Sequence, residues 1–150
     1  VYHYSECGLS NIYLKNGFSI DNVDGEEYTT IEDINGLHCT IAQIIVEQER
    51  PLTNEEFKFL RMELNMSQKL LGKKLGVSEQ TIARYEKKQS DVPRTTDVAL
   101  RALYMESQNK SNPVSYFLDL LCDAEAAAAA DLLLEEVQQK WLIAQQEVIR

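Results

Sequence analysis

This chain of 150 residues is poor in cysteine: Cys7, Cys39 and Cys122 are all it has, and no two of them form a CxxC pair. Three scattered thiols cannot build a disulfide framework, and structural zinc usually draws its cysteines in close pairs, so neither kind of staple is expected. The three are expected to remain thiols. Long apolar runs are missing too: none reaches the length that spans a bilayer, and no signal peptide is visible, which places the expected location in the cytoplasm. Positive charge is scarce, with 15 Lys and Arg against 24 Asp and Glu and a net charge of −9. Taken as a total, that balance opposes binding to a polyanion. No nucleophile, base and orienting group come together in the sequence, so neither an enzyme nor a cofactor is expected. The hydrophobic content of 44% fits a globular protein with one or two small cores.

His3, Cys7, His38 and Cys39 are the set that comes nearest to a metal site. Adjacent residues on a helix point about 100° apart, so His38 and Cys39 grip one tetrahedral ion poorly, and no metal site is expected. Tyr2, Tyr4 and His38 read instead as half-buried packing residues with hydrogen-bonded polar ends.

The informative stretch is Leu60 to Lys88, LRMELNMSQKLLGKKLGVSEQTIARYEKK. Leu60, Leu64, Leu71, Leu75, Val77, Ile82 and Tyr85 are spaced so that three short helices share one small core, and the residues between them are polar or charged. Ser67 can cap a helix over Gln68 to Leu75 that Gly76 ends, and Ser78 starts the next one. A small residue at Gly72 lets two helices approach closely where they cross. The last helix carries Glu79, Gln80, Thr81 and Arg84 near its start and outer face and Lys87 and Lys88 at its end. Gln pairs with adenine and Arg with guanine through two hydrogen bonds each, whereas Lys and Ser mainly hold phosphate.

SQKLLGKKLGVSEQTIARYEKK closely resembles the lambda-repressor-like, or Xre-type, helix-turn-helix, with about ten positions agreeing in order and spacing. The resemblance implies that Gln68 contacts the DNA backbone, that the helix from Ser78 to Lys87 lies in the major groove, and that Gln80 and Arg84 read bases. It implies a salt bridge between Arg61 and Glu86, and by their own chemistry and position Ser78, Thr81, Lys87 and Lys88 are expected to hold the DNA backbone. Gly72 stands where the family usually has Ala, at a cost of about 1 kcal/mol in helix propensity.

The negative total is unevenly spread. Residues 51 to 106 carry ten basic against eight acidic residues, a balance of +2, while residues 1 to 50 stand at −7 and residues 107 to 150 at −4. Charges beyond a Debye length of roughly 8 to 10 Å are screened, so a mildly basic reader between acidic flanks can still bind DNA. The acidic flanks weaken nonspecific binding and suit a basic protein partner.

Residues 1–50 are expected to form a small α+β domain. Asn11 to Ile20 alternates around Ile12 and Leu14, Asn16-Gly17 signals a turn, Tyr28 to Ile31 is a second short strand, and Leu37 to Val46 suits a helix. Arg50-Pro51-Leu52 marks the boundary, and Thr53 to Glu56 forms a capping box ahead of the reader. YHYSECGLSNIYLKNGF, INGLHCTIAQIIV and PLTNEEFKFLRMELNMSQ together resemble the MqsA-type antitoxin and regulator family, in which a small N-terminal domain precedes an Xre-type reader. The best-known members carry a zinc finger with paired cysteines in that domain, and such pairs are absent from this chain.

Residues 51–110 are expected to form a five-helix lambda-repressor-like domain, closed by a helix over Thr96 to Ser107. From Pro113 to Arg150 there is neither Gly nor another Pro, and AEAAAAAD has high helix propensity. Phe117, Leu121, Ala124, Ala128, Leu133 or Leu134, Val137, Trp141, Ala144 and Val148 recur at spacings of three and four. Residues 111–150 are therefore expected to form a long helix that either folds back as core or pairs with a second copy. The fold class expected is mainly α with a small α+β N-terminal domain. The expected function is a sequence-specific transcriptional regulator, an autorepressor that binds a palindromic operator in double-stranded DNA as a homodimer. The alternative is an antitoxin of a type II module that neutralises a protein toxin and autoregulates its operon.

Overall fold

The computed structural model describes residues 1–109, 117 and 129–144, and the chain divides into two compact units. One comprises residues 1–41 and 129 onward, the other residues 42–128.

In the first unit, β1 (Tyr2–His3), β2 (Ile12–Leu14), β5 (Leu132–Val137) and β6 (Lys140–Ile143) form a four-stranded sheet in the order β1-β2-β5-β6. β1 runs antiparallel to β2 with Tyr2 opposite Leu14; β2 runs parallel to β5 with Ile12 opposite Leu132; β6 returns antiparallel to β5. A separate ribbon pairs β3 (Phe18–Val23) with β4 (Glu26–Ile31) across the Asp24-Gly25 turn. The core combines Tyr4, Leu9, Ile12 and Leu14 with Leu133, Leu134 and Trp141 and with Leu37 and Ile41 from α1 (Ile34–Glu47).

The long C-terminal helix expected over residues 111–150 is not what residues 129–144 form. Leu133, Leu134, Val137, Trp141 and Ala144, expected on one helical stripe, lie on or beside the β5–β6 hairpin. Two residues join its strands, and both Gln138 (φ 50°) and Gln139 (φ 65°) adopt the left-handed conformation of a type I′ turn. That turn normally announces itself by Asn-Gly or Asp-Gly; Gln-Gln carries no such signal. The strand is held by partners far away in sequence. Asn11 Nδ2 donates to the Ala130 carbonyl at 2.9 Å, and the Asn16 side chain accepts from Glu136 N (2.7 Å) and donates to its carbonyl (3.3 Å), mimicking a strand partner. The remainder of the expected helix, including Leu121, Ala124, Ala128 and Val148, lies outside the described residues, apart from Phe117, which is buried in a helical position.

Asn16-Gly17 is a turn, but it passes the chain from the four-stranded sheet to the ribbon instead of closing a hairpin. Gly17 has φ +75°, and a Cβ placed there would lie 2.6 Å from Trp141 Cη2. Only glycine fits both conditions. The Trp141 indole N–H donates to the Glu32 carbonyl at 3.2 Å.

The second unit contains the end of α1 and four complete helices among its described residues: α2 (Asn54–Glu63), α3 (Gln68–Leu75), α4 (Glu79–Glu86) and α5 (Arg94–Ser107). Among the described residues four complete helices stand there where five were expected. Thr53 caps α2 through a full capping box: its side chain accepts from Glu56 N at 3.1 Å, and Glu56 accepts from Thr53 N at 2.9 Å. Arg50 meets the same carboxylate with two hydrogen bonds of 2.7 Å. Phe57, Leu60, Leu71, Ile82, Tyr85, Val98 and Leu100 are buried, with the Phe57 and Tyr85 rings packed edge to face at 5.7 Å. Leu64, Leu75 and Val77, also expected in this core, are half-buried.

Arg101 is fully buried and ties the connecting segment to α5. Its guanidinium donates to Asp97 Oδ1 (2.6 Å) and to the carbonyls of Val46 (3.0 Å), Gln48 (2.8 Å) and Arg50 (2.6 Å), while Asp97 Oδ2 accepts from Leu52 N at 2.8 Å. A buried cation is tolerated because its donors are met and a carboxylate balances its charge. Sequence reading had assigned this residue no role.

Candidate nucleic-acid interface

α3, the following turn and α4 are built by local chemistry that the residues prescribe. Ser67 has extended backbone and its hydroxyl accepts from Leu70 N at 3.0 Å, starting α3. Gly76 ends that helix at φ 76°, and Val77 N donates back to the Gly72 carbonyl at 2.9 Å. Ser78 then caps α4: its hydroxyl accepts from Thr81 N at 3.1 Å and lies 2.8 Å from the Thr81 hydroxyl. The gap between the helices is thus two residues beyond Gly76, which forces a sharp change of direction.

Gly72 permits the closeness of that turn. A Cβ on it would stand 2.7 Å from the Val77 carbonyl oxygen and 3.3 Å from the Ser78 carbonyl carbon and oxygen. These are backbone atoms, so they cannot rotate aside as a side chain would.

Inward-facing residues orient α4. Ile82 and Tyr85 enter the core, and Glu86 is buried against α2. Glu86 Oε2 accepts from Arg61 Nε at 2.6 Å and Glu86 Oε1 from Arg61 Nη2 at 2.9 Å, a bidentate ion pair with side-chain exposures of 8% for Arg61 and 3% for Glu86. Arg61 Nη1 also donates to the Met66 carbonyl at 2.9 Å. Asn54 Nδ2 donates to the Glu86 carbonyl at 3.2 Å, so the first turn of α2 holds the last turn of α4. Neither Asn54 nor Met66 stood out in the sequence, since backbone acceptors carry no residue signature.

Gln80 and Arg84, four residues apart, lie one turn above the other on the face of α4 away from Ile82 and Tyr85. Both are exposed, and neither side chain has a hydrogen-bond or ionic partner among the described residues. Lys87 and Lys88 are exposed at the end of α4, where Lys88 takes φ 58° and Gln89 N returns to the Arg84 carbonyl at 2.9 Å. Thr81 is half-buried, and Ser78 is exposed. Gln68 is half-buried at the first position of α3, and its Nε2 donates to Glu86 Oε1 at 3.0 Å, joining the ion pair. Exposed Lys69, Lys73 and Lys74 on α3 add positive charge that sequence reading left without a role.

The other candidates lie elsewhere. His3 bonds the Ser10 carbonyl at 2.8 Å and stacks on Tyr13, His38 meets the Tyr4 hydroxyl at 2.7 Å, Cys7 lies 3.7 Å from the Tyr4 carbonyl, and Cys39 is exposed. Among the described residues no three His, Cys, Asp or Glu side chains gather as metal ligands, and no helix is long and apolar enough to cross a membrane.

Residues 57–98, a little over a quarter of the chain, match a family model described as helix-turn-helix. The match begins within α2 and ends within α5, so it takes in the two capped helices and the ion pair that braces them. No curated protein and no solved structure matches the chain.

Proposed function

We propose that this chain, whose residues 57–98 form a helix-turn-helix domain, is a sequence-specific DNA-binding transcriptional regulator that represses its own operon. The observation that carries the reading is the outward pair Gln80 and Arg84 on α4, a short helix seated from behind by Ile82, Tyr85 and the Arg61–Glu86 pair. With α4 in the major groove, Arg84 and Gln80 read base edges. Ser78 and Thr81 sit at the helix N-terminus, where free N–H groups and the helix dipole favour a phosphate. Lys87 and Lys88 hold the backbone. Gln68 joins them by spending one amide hydrogen on Glu86 and offering the other to a phosphate, so the ion pair orients a DNA contact as well as the fold.

A palindromic operator requires two copies of the reader. The β5–β6 hairpin takes residues 132–143 out of the helix expected to pair them, so two-fold binding rests on the operator itself. Footprinting of the purified protein on the DNA upstream of its own gene tests the proposal. The expected result is protection of two half-sites about 34 Å apart on one face of the duplex. Arg84→Ala should then cost roughly 1 to 3 kcal/mol on that site and little on random DNA. Equal losses on both would remove base reading from Arg84.

A second reading has one observation in its favour. Within the first unit, residues 16–41 hold no Lys or Arg but six Asp or Glu, and the β3–β4 ribbon inside this stretch leaves Ile20, Val23 and Tyr28 about half exposed. Such a surface suits a basic protein, as in an MqsA-type antitoxin that binds its toxin and autoregulates. A small basic reading frame abutting this gene, whose product co-purifies with the chain, supports that role; a neighbour that neither binds nor is toxic removes it.

A further inference from the structure

A cavity of about 370 Å³ opens in the first unit, lined by Tyr2, Tyr4, Glu6, Glu27, Tyr28 and Ile31 among others. That volume falls within the range of roughly 300 to 1,000 Å³ found for small-ligand sites. Glu27, Tyr28 and Thr29 are consecutive on β4 and all reach the cavity. Successive side chains of a strand point to opposite faces, so a cavity touching all three lies along the strand's edge. β4 pairs with β3 on its other edge, and the ribbon has two strands among the described residues.

The lining has a distinct chemistry. It contains three tyrosines, two carboxylates and no Lys, Arg or His. Glu27 has no ion-pair partner among the described residues, and Glu6 accepts a hydrogen bond from the Tyr2 hydroxyl. That bond first, and burial second, raise the Tyr2 phenol above its ordinary titration range. Nothing there could balance an anion. A hard divalent metal wants six or more oxygen ligands, and no cluster of three ligand side chains exists among the described residues. A cation with an apolar stem meets all the features at once: aromatic rings and Ile31 for its body, carboxylates for its charge, and the edge of β4 for its N–H donors.

We infer that this cavity is a binding site for an organic cation of the alkylguanidinium or alkylammonium class, borne by a side chain of a basic polypeptide or by a free amine. Its occupancy does not depend on DNA reading, and a failure of either leaves the other standing.

Calorimetric titration of the full chain tests the site with three probes: agmatine, a short Gly-Ser peptide carrying one central arginine, and butylurea as an uncharged shape control. Agmatine or the peptide should saturate, and butylurea should not bind. Glu27→Gln, which keeps the side-chain shape, should weaken binding on the order of tenfold, and Tyr28→Ala at least about threefold. Asp24→Asn removes a carboxylate of the same ribbon outside the cavity and should leave binding unchanged. A peptide bound ten times more tightly than agmatine identifies a polypeptide side chain as the source; equal affinity identifies a free amine. Failure of both cations to saturate, equal binding of butylurea, or an Asp24→Asn loss as large as that of Glu27→Gln overturns the inference.

Discussion

Removing the Glu86 carboxylate probes the brace behind α4 directly. In Glu86→Ala the Arg61 guanidinium, whose side chain is 8% exposed, loses both of its carboxylate bonds and keeps the Met66 carbonyl. Breaking a buried ion pair from one side costs about 3 to 5 kcal/mol, because the remaining charge stays desolvated and uncompensated. Gln68 also loses its acceptor, but it is half-buried and water can replace Glu86 at little cost. The expected loss is therefore about 3 to 4 kcal/mol, a large share of the roughly 5 to 15 kcal/mol that holds a domain together. The double variant Arg61→Met, Glu86→Leu removes both charges and fills the space with apolar atoms; it leaves only the Met66 carbonyl and Gln68 to find other partners. Its expected loss is about 1 kcal/mol. Urea denaturation followed by far-ultraviolet circular dichroism on both variants measures the difference. A Glu86→Ala loss below about 1 kcal/mol, or a double variant no better than the single one, would refute the view that the pair is buried and mutually dependent. The double variant should still bind DNA more weakly, since nothing then orients Gln68.

Gly72→Ala sets about 1 kcal/mol of helix propensity against a Cβ only 2.7 Å from the Val77 carbonyl oxygen, and overpacking of about 1 to 3 kcal/mol should win, lowering the urea midpoint. A raised midpoint would mean that the turn yields easily. Lys88→Gly relieves a left-handed residue of φ 58° and should stabilise the domain by about 1 kcal/mol, yet it should weaken every DNA sequence alike and reduce the slope of log affinity against log salt by about 0.9. Unchanged salt dependence would take Lys88 off the phosphate backbone. Replacing Gln138-Gln139 by Asn-Gly should raise the thermal midpoint through a gain of about 1 kcal/mol, since both residues have positive φ; a loss would argue against the hairpin.

The reader was legible because its grammar is local. Ser67, Ser78 and Gly76 act within four residues of themselves, and the apolar positions Leu60, Leu71, Ile82 and Tyr85 recur at the helical period, so the sequence alone shows three helices and the tight turns between them. Asp24-Gly25, at φ 54° and 81°, is an equally local hairpin signal, although the strands it joins, FSIDNV and EEYTTI, carry no regular alternation beside it. Two deciding features were not local. LLLEEVQQKWLI satisfies helical spacing, and its choice of strand depends on pairing with Ile12 to Leu14, about 120 residues away, and on the Asn11 and Asn16 side chains that meet it. Arg101 likewise reads as one more charge on a helix until Asp97 and three carbonyls of the connecting segment enclose it. Caps, turns and periodicity lie within the reach of neighbouring residues and so belong to the sequence by itself. Which apolar run becomes a strand, and which charge is buried, depends on partners that only the folded chain brings together.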